Sequence, residues 1–199
     1  DQAAPLGPIV APYLRSQARV VPLMRARVTG VAGANLHLAT IDEVREDGHL
    51  AREFGLTFRT GLEANERVAA GTFWSAPLAT PTLPDGVDTD VSVEQETFDR
   101  AHLALGDLVR FDVAGQSIRA RVTSVRSVEW DDPASGGFVF VLRPGPAVDR
   151  LPHTFVAFLQ TKDDGAARGA LQRDVVRAMP NVSIIDVPSG QQPMGNDDG

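Results

Sequence analysis

The strongest structural signal in the chain is a two-residue alternation that runs through residues 107–131. Apolar and polar residues alternate from Val109 to Val113 and again from Ile118 to Val122, on either side of a turn at Ala114–Gln116. Because successive side chains of a strand point to opposite faces, this pattern predicts two half-buried strands. Matching strands around a glycine-containing turn predict a β-hairpin, whose second strand continues to Trp130.

The N-terminal part predicts a leader, a strand and a helix. Residues 1–17 hold three prolines and are predicted to be an extended leader without a signal peptide. Ala18–Val31 ends in alternating apolar and polar positions, which predicts a half-buried strand. Thr40–Phe54 predicts a helix that Thr40 caps and Gly55 ends. Short strands are predicted at Leu56–Arg59 and Glu66–Gly71.

The middle of the chain predicts a loop and a helix before the hairpin, and a strand after it. Pro77–Asp88 contains three prolines and a Pro-Asp-Gly turn, so it predicts a surface loop that marks a hinge or seam. Asp90–Val93 is predicted to be a strand, after which Ser92 caps a helix over Val93–Leu105. Gly137–Leu142 predicts a short apolar strand.

The C-terminal part predicts a strand–helix–strand unit, after a single helical turn at Val148–Leu151. Thr154–Thr161 predicts a buried strand, Gly165–Met179 a helix and Val182–Val187 the last strand. A βαβ unit of these lengths is expected to be right-handed, with parallel strands. Residues 188–199 are polar, acidic and rich in glycine and proline, which predicts a disordered tail.

Composition excludes several functional classes. The chain has 199 residues and a net charge of −7, so nucleic acids and anionic lipid surfaces gain no electrostatic attraction to it. The absence of cysteine excludes disulfides and metal sites that need thiolates. No apolar run approaches the ~20 residues of a membrane-spanning helix. By chemistry alone, the sequence predicts a mixed α/β domain of the α+β class and no reaction.

No motif in the sequence specifies a reaction, a cofactor or a metal. The patterns G-x-x-x-x-G-K-[ST], G-x-G-x-x-G and Gly-x-Ser-x-Gly are absent. We interpret Asp131-Asp132 and Asp163-Asp164 as residues that end a strand or cap a helix. None of the histidines is spaced with a second ligand, so none is predicted to bind a metal. The histidines are His37, His49, His102 and His153.

Arginine and aromatic side chains are the remaining candidates for contacts. In a regular strand, Arg119 and Arg121 share one face and Arg126 lies on the other, and we predict solvated faces rather than a phosphate site. Core packing is the default interpretation of the aromatic residues. A contact with a partner or cargo is the alternative, because two of them directly precede the proline-rich loop. These candidate contact residues are Phe73, Trp74 and Trp130.

Residues 103–131, LALGDLVRFDVAGQSIRARVTSVRSVEWD, resemble the extracytoplasmic domain of FtsX-like, MacB-type ABC transporter permeases. Within that group, the large permease associated with a lysophospholipase-type esterase is the most similar. Other stretches match in the same order, so the resemblance spans about residues 20–187. These stretches are Pro22–Val31, Arg52–Thr57, Leu151–Phe158 and Pro180–Val187.

The resemblance implies a MacB-type periplasmic core domain over residues 18–187. Both chain ends would form a subdomain that contains the βαβ unit, and roughly residues 66–146 would form an inserted β-rich subdomain. The chain departs from such permeases after Val187, where a polar tail replaces the approach to a membrane helix. We therefore expect an excised domain, or one joined to an artificial end. The loop after Trp130-Asp131 also differs, so the resemblance assigns no role to it.

The function implied by the resemblance is non-catalytic. In such permeases a cytoplasmic ATP-binding subunit hydrolyses ATP, and the extracytoplasmic domain moves in response. The implied partners are that subunit, reached through membrane helices, and a periplasmic esterase or a lipid-like or protein cargo. The implied location is the periplasmic face of the inner membrane. A free-standing soluble protein with a β-barrel-like middle is the alternative, and it predicts a closed apolar pocket for a small ligand.

Overall fold

The computed structural model describes residues 6–14, 19–75, 82–130, 137–159 and 165–178. It divides into two compact units, Arg19–Phe158 and a second one made from Asp1–Ala18 and Leu159–Gly199. The strands are β1 Arg19–Ala32, β2 His37–Leu38, β3 Glu53–Phe58, β4 Glu66–Gly71, β5 Thr89–Glu94, β6 Leu108–Val113, β7 Gln116–Val128, β8 Phe140–Leu142 and β9 Thr154–Phe158. The helices are α1 Leu6–Val10, α2 Ile41–Asp47, α3 Gln95–Arg100, α4 Pro146–Asp149 and α5 Gly165–Ala178, with a 3-10 turn at Ala11–Tyr13. This mixture confirms the predicted mixed α/β class.

Six strands of the larger unit form a closed ring in the order β1, β3, β8, β5, β7 and β6, with β6 pairing back to β1. The β3–β8 and β5–β7 pairs are parallel and the others are antiparallel. The inner face of the ring is apolar. Phe54 and Phe111 both pack edge-on against Phe140, with ring centroids 5.0 Å apart, and Met24 and Leu56 are buried beside them.

Three of the strands in the described residues lie outside the ring and extend its members. β2 pairs with the end of β1, β9 with the start of β1, and β4 with the end of β7. The predicted inserted subdomain, roughly residues 66–146, supplies β4 to β8 and is joined to β1 and β3 by the β1–β6 and β3–β8 pairs. The predicted boundaries of that subdomain and of the 18–187 domain stay predictions.

The predicted hairpin is confirmed, with β6 and β7 as its strands. Val113 pairs with Gln116, so the turn contains only Ala114 and Gly115, whose φ angles are +49° and +86°. Positive φ at both central residues is the type I′ geometry, whose twist matches the twist of the flanking strands. The second strand ends at Val128 rather than at Trp130.

The predicted helix over Thr40–Phe54 is correct at its start and wrong at its end. Thr40 caps α2 by accepting a hydrogen bond from the backbone of Glu43. The helix stops at Gly48, whose φ of +82° is left-handed. Phe54 belongs instead to β3, where it pairs with Ala26 and is buried in the ring, so burial in the sheet outweighs helix propensity.

The helix predicted after Ser92 is shorter than expected and begins later. Glu94 is its cap, and its carboxylate accepts hydrogen bonds from the backbone of Glu96 and Thr97. Ser92 lies inside β5, whose six residues are all buried. Because β5 lies between β7 and β8, its backbone is already hydrogen-bonded as a strand and cannot begin a helix at Ser92.

The second unit contains α1, the 3-10 turn and α5. The prediction of an extended leader was wrong for residues 6–13, which form α1 and the 3-10 turn. Burial of Val10 and Leu14 accounts for this order. Leu171 and Val175 are the buried residues of α5. The Tyr13 hydroxyl donates to Asp174 Oδ2 at 2.5 Å, and this hydrogen bond raises the pKa of Tyr13. The strand and helix of the predicted βαβ unit are β9 and α5, but Val182–Val187, its last strand, and the 188–199 tail lie outside the described residues.

Candidate interaction surface and the ion pairs behind it

Phe73 and Trp74 follow β4 and lie in a small apolar cluster on the outer face of the ring. Trp74 is 9% exposed, and its indole Nε1 donates to the Arg59 carbonyl at 2.7 Å. The Phe73 ring stacks on Trp74 with 4.1 Å between centroids and stays half-buried. Trp74 is thus mainly a packing residue, with Phe73 as its more exposed neighbour. The other buried members of this cluster are Val21, Phe138 and Val141.

Trp130 is the most exposed of the predicted contact residues, at 49%. Its ring lies against the backbone of Gly137, where a Cβ atom would come within 2.1 Å of it. Gly137 directly precedes Phe138, a buried member of the cluster that contains Trp74. We call Phe73, Trp74, Trp130 and Phe138 the aromatic surface.

Sequence reasoning missed a further exposed aromatic residue, Phe155 of β9, which is 52% exposed. The ring of His153 lies edge-on to Phe155 at 5.3 Å and to Phe58 at 5.4 Å. The predicted strand is present as β9, but its predicted burial was wrong, because Thr154 and Phe155 are exposed and the rest of β9 is half-buried. The segment is apolar on both parities, so alternation could not mark the exposed face.

Arg126 is the largest fully buried side chain among the described residues, and its guanidinium pairs with Glu66 of β4. Its Nη2 donates to the carbonyls of Phe138 at 2.9 Å and Val139 at 3.1 Å, and its Nε donates to Ser92 Oγ at 3.0 Å. Arg126 therefore connects β4, β5 and the segment before β8 at one point.

Two predictions for Arg126 were wrong. Its side chain is buried instead of solvated, and it lies on the same face of β7 as Arg121 instead of on the opposite face. The pairing of β5 with β7 shifts register between Val91 and Ser92, so one extra residue of β7, Thr123, interrupts the alternation. Arg121 pairs with Asp90 at 2.8 Å and Arg126 contacts Ser92, two residues further along the same face of β5. Both arginines thus lie on the outer face. No glycine or other sequence signal marks this bulge.

A second arginine, Arg59, extends the buried pair towards the surface. It pairs with Glu66, and its Nε donates to the Gly61 carbonyl at 2.9 Å. Burial alone would raise the pKa of Glu66, but the positive charges of Arg126 and Arg59 outweigh burial and lower it. Burial lowers the pKa of Arg126 to about 10, against the opposing effect of Glu66. Both members of the pair are therefore charged at neutral pH.

The surface arginine of β7, Arg119, behaves as predicted. Its Nε and Nη2 donate to the two carboxylate oxygens of Asp88 at 3.1 and 3.0 Å, and its side chain is 47% exposed. Hydrogen bonds from Arg119 lower the pKa of Asp88. Asp88, Arg119 and Arg150 line an open groove of about 590 Å³. Apolar side chains line the inner face of the ring, and the alternative of a closed apolar pocket for a small ligand stays a prediction.

The histidines do not form a metal site within the described ranges. The rings of His49 and His102 lie edge-on, 6.1 Å apart, and both residues are exposed. No group of three or more His, Asp and Glu side chains that could hold a metal occurs in the part of the chain that the structure describes. Asp131-Asp132 and Asp163-Asp164 lie outside it. None of the helices described there is long and apolar enough to cross a membrane.

Comparison with known proteins points to a permease. No family model matches the chain. Over 187 residues, 94% of the chain, it is 28% identical to an uncharacterized ABC transporter permease, YbbP of Escherichia coli (strain K12), and it spans 20% of that relative's length. A crystal structure described as a domain of a permease from Porphyromonas gingivalis matches at 9% identity and a TM-score of 0.38, over 87% of this chain and 74% of that one. That structural likeness is too weak to support an argument. The alignment with YbbP confirms the predicted similarity to an ABC transporter permease.

Proposed function

We propose that the chain is the extracytoplasmic domain of an ABC transporter permease of the FtsX-like, MacB-type kind. The observation that carries the proposal is the alignment of nearly the whole chain, 94%, with a segment that makes up 20% of a curated permease. A domain that matches one fifth of a permease is one part of a larger protein, so its role depends on the function of the rest of that protein.

In this proposal the domain has no catalytic role and moves when a cytoplasmic ATP-binding subunit hydrolyses ATP. Membrane helices elsewhere in the native protein connect the domain to that ATP-binding subunit. The domain handles a lipid-like or protein cargo, or engages a periplasmic esterase, at the outer side of the inner membrane. Its net charge of −7 disfavours nucleic acid as a partner.

The aromatic surface is our candidate for the contact with cargo or partner. Trp130 and Phe73 supply its accessible part, since Trp74 and Phe138 are 9% and 7% exposed. Large rings held by neighbouring packing lose little entropy on binding, which is why aromatic residues are enriched at binding interfaces. Gly137 keeps the Trp130 ring flat against the backbone, so this residue is preorganised.

The native gene provides the test. It should encode apolar spans of ~20 residues on both sides of this segment. Cysteines placed at Arg67 and Arg100, two exposed positions, should react with a membrane-impermeant maleimide in intact spheroplasts that carry the full-length protein. A native gene without such spans, or labelling only after lysis, would contradict the proposal. The chain contains no cysteine of its own, so the labelling has no background from this domain.

A further inference from the structure

The larger unit begins and ends at one place. Arg19, its first residue, and Phe158, its last, are register partners in the β1–β9 pair. Their side chains also meet, because the guanidinium carbon of Arg19 lies 5.2 Å from the centroid of the Phe158 ring. Any displacement carried along the chain into or out of this unit therefore arrives at the same pair of residues.

A continuous series of ion pairs leads from this place to the outer face of the ring. Arg19 Nε lies 3.4 Å from Glu63 Oε1, and Arg59 Nε lies 4.0 Å from the same oxygen. Arg59 in turn pairs with Glu66, which pairs with Arg126. We call these five residues the ion-pair series.

The ion-pair series becomes more buried towards the ring. Side-chain exposure falls from 25% at Arg19 to 12% at Arg59 and 0% at Arg126. Water and salt therefore screen the outer pairs more than the inner ones, and the 4.0 Å contact between Arg59 and Glu63 is the longest link of the series. Arg126 then ends the series on backbone, through the carbonyls of Phe138 and Val139.

We infer that the ion-pair series is a coupling element that passes displacement of the β1–β9 pair to the ring strands β5, β7 and β8. The inference rests on the proposed function, in which the domain moves in response to ATP hydrolysis. Charge-assisted hydrogen bonds are short and directional, and an unpaired charge in a buried position is costly. The Glu63 backbone N–H donates to Glu66 Oε2 at 3.0 Å, so a shift of Arg19 that moves Glu63 also reaches the inner pair, and the 4.0 Å contact between Glu63 and Arg59 adds electrostatic attraction.

Hydrogen exchange followed by mass spectrometry on the full 199-residue chain tests the inference. Glu63→Gln removes the charge that joins Arg19 to Arg59 and leaves the inner pair intact. Exchange should rise about three- to fivefold in the β1–β9 amides, the size expected for loss of a partly screened pair. It should also rise in residues 137–142, beyond Arg126. Arg59→Gln should give the same pattern.

Two matched variants separate coupling from a local structural role. Glu53→Gln breaks the Arg25–Glu53 pair of the same sheet, which lies outside the series, and should leave residues 137–142 unchanged. In an Arg126→Met background, where Glu66 still pairs with Arg59, Glu63→Gln should no longer affect residues 137–142.

Two results would overturn the inference. One is a rise confined to residues 19–23 and 154–158 in Glu63→Gln, and the other is an equal rise in every segment. The experiment involves no membrane, ATPase or cargo, so its failure leaves the permease proposal standing. Conversely, a native gene without membrane spans would contradict the permease proposal, while a measured coupling would still hold for the domain itself.

Discussion

The closed ring contains two deeply buried regions, the whole inner face and one site on the outer face, and they are buried by opposite chemistry. The inner face is filled by apolar side chains, among them Phe111 and Phe140, each 0% exposed. On the outer face near the end of β7, an arginine and a glutamate, Arg126 and Glu66, are buried just as deeply. Burial of the apolar face is favourable in itself, whereas the charged pair must first lose its hydration.

The difference predicts how each face responds to change. In the apolar face, removing atoms costs free energy in proportion to what is removed and to the cavity left behind. In the ionic face, removing one partner leaves the other charged, buried and unpaired, while removing both can cost little. We therefore expect apolar packing to supply most of the stability of the ring, while the ion pair joins β4 and β7 to the carbonyls of Phe138 and Val139.

The largest effect is expected for Glu66→Ala, which leaves Arg126 without its carboxylate. We expect the free energy of unfolding to fall by about 3–5 kcal/mol. Urea unfolding followed by tryptophan fluorescence measures it, since both tryptophans, Trp74 and Trp130, lie in the larger unit. Replacing both partners, Glu66→Leu with Arg126→Met, should recover most of this loss. A single variant that loses less than about 1 kcal/mol would contradict the comparison.

Acid should weaken the ionic face before the apolar one. The folded-state pKa of Glu66 is lowered, so its stabilising effect is complete above its unfolded pKa of about 4.3 and is lost as the pH falls through the folded value. Urea unfolding measured at steps from pH 7 to pH 3 should show a shallower decline for Glu66→Gln than for the parent chain. Glu53→Gln, which removes a carboxylate from an exposed ion pair, is the matched control and should decline like the parent chain, and an unchanged decline in Glu66→Gln refutes this prediction.

A smaller loss is expected from Ile118→Val on the inner face. The residue is 2% exposed, and removal of one buried methylene group costs about 0.5–1.5 kcal/mol. The same fluorescence-monitored urea unfolding measures it, and the m-value should not change. A loss as large as that of Glu66→Ala would mean that the two faces do not differ as described.

The smallest effect is expected from Glu53→Gln, which breaks an exposed ion pair on the same sheet. The side chains of Arg25 and Glu53 are 80% and 43% exposed, so water and salt screen their attraction. Exposed pairs contribute about 0.2–1 kcal/mol, and this loss should lie at the lower end and vanish in 1 M salt. A salt-independent loss would show that this pair is not screened as its exposure implies.

Local features of the sequence predicted local structure well. The hairpin of β6 and β7, the capping role of Thr40, the strand over Glu66–Gly71 and the helix that begins at Gly165 follow from alternation, capping chemistry and helical spacing. Phe73, Trp74 and Trp130 were predicted as contact residues, which stays a prediction, and the structure adds the packing of Trp74 with Phe138 and of Trp130 against Gly137. Helix boundaries were predicted less well. Residues 53–54 and 93–94 were assigned to helices by local preference, but they pair in the sheet as parts of β3 and β5.

The sequence by itself determined the alternation, the turns and the mixed class, since these depend on residues a few positions apart. Only the tertiary structure decided that the ring closes, because its parallel pairs join strands far apart in the chain. It also decided the burial of Arg126, whose partner Glu66 is 60 residues away and whose face depends on the bulge at Thr123. A buried charge is tolerated only where distant groups satisfy it, and the order of residues along one strand does not contain that information.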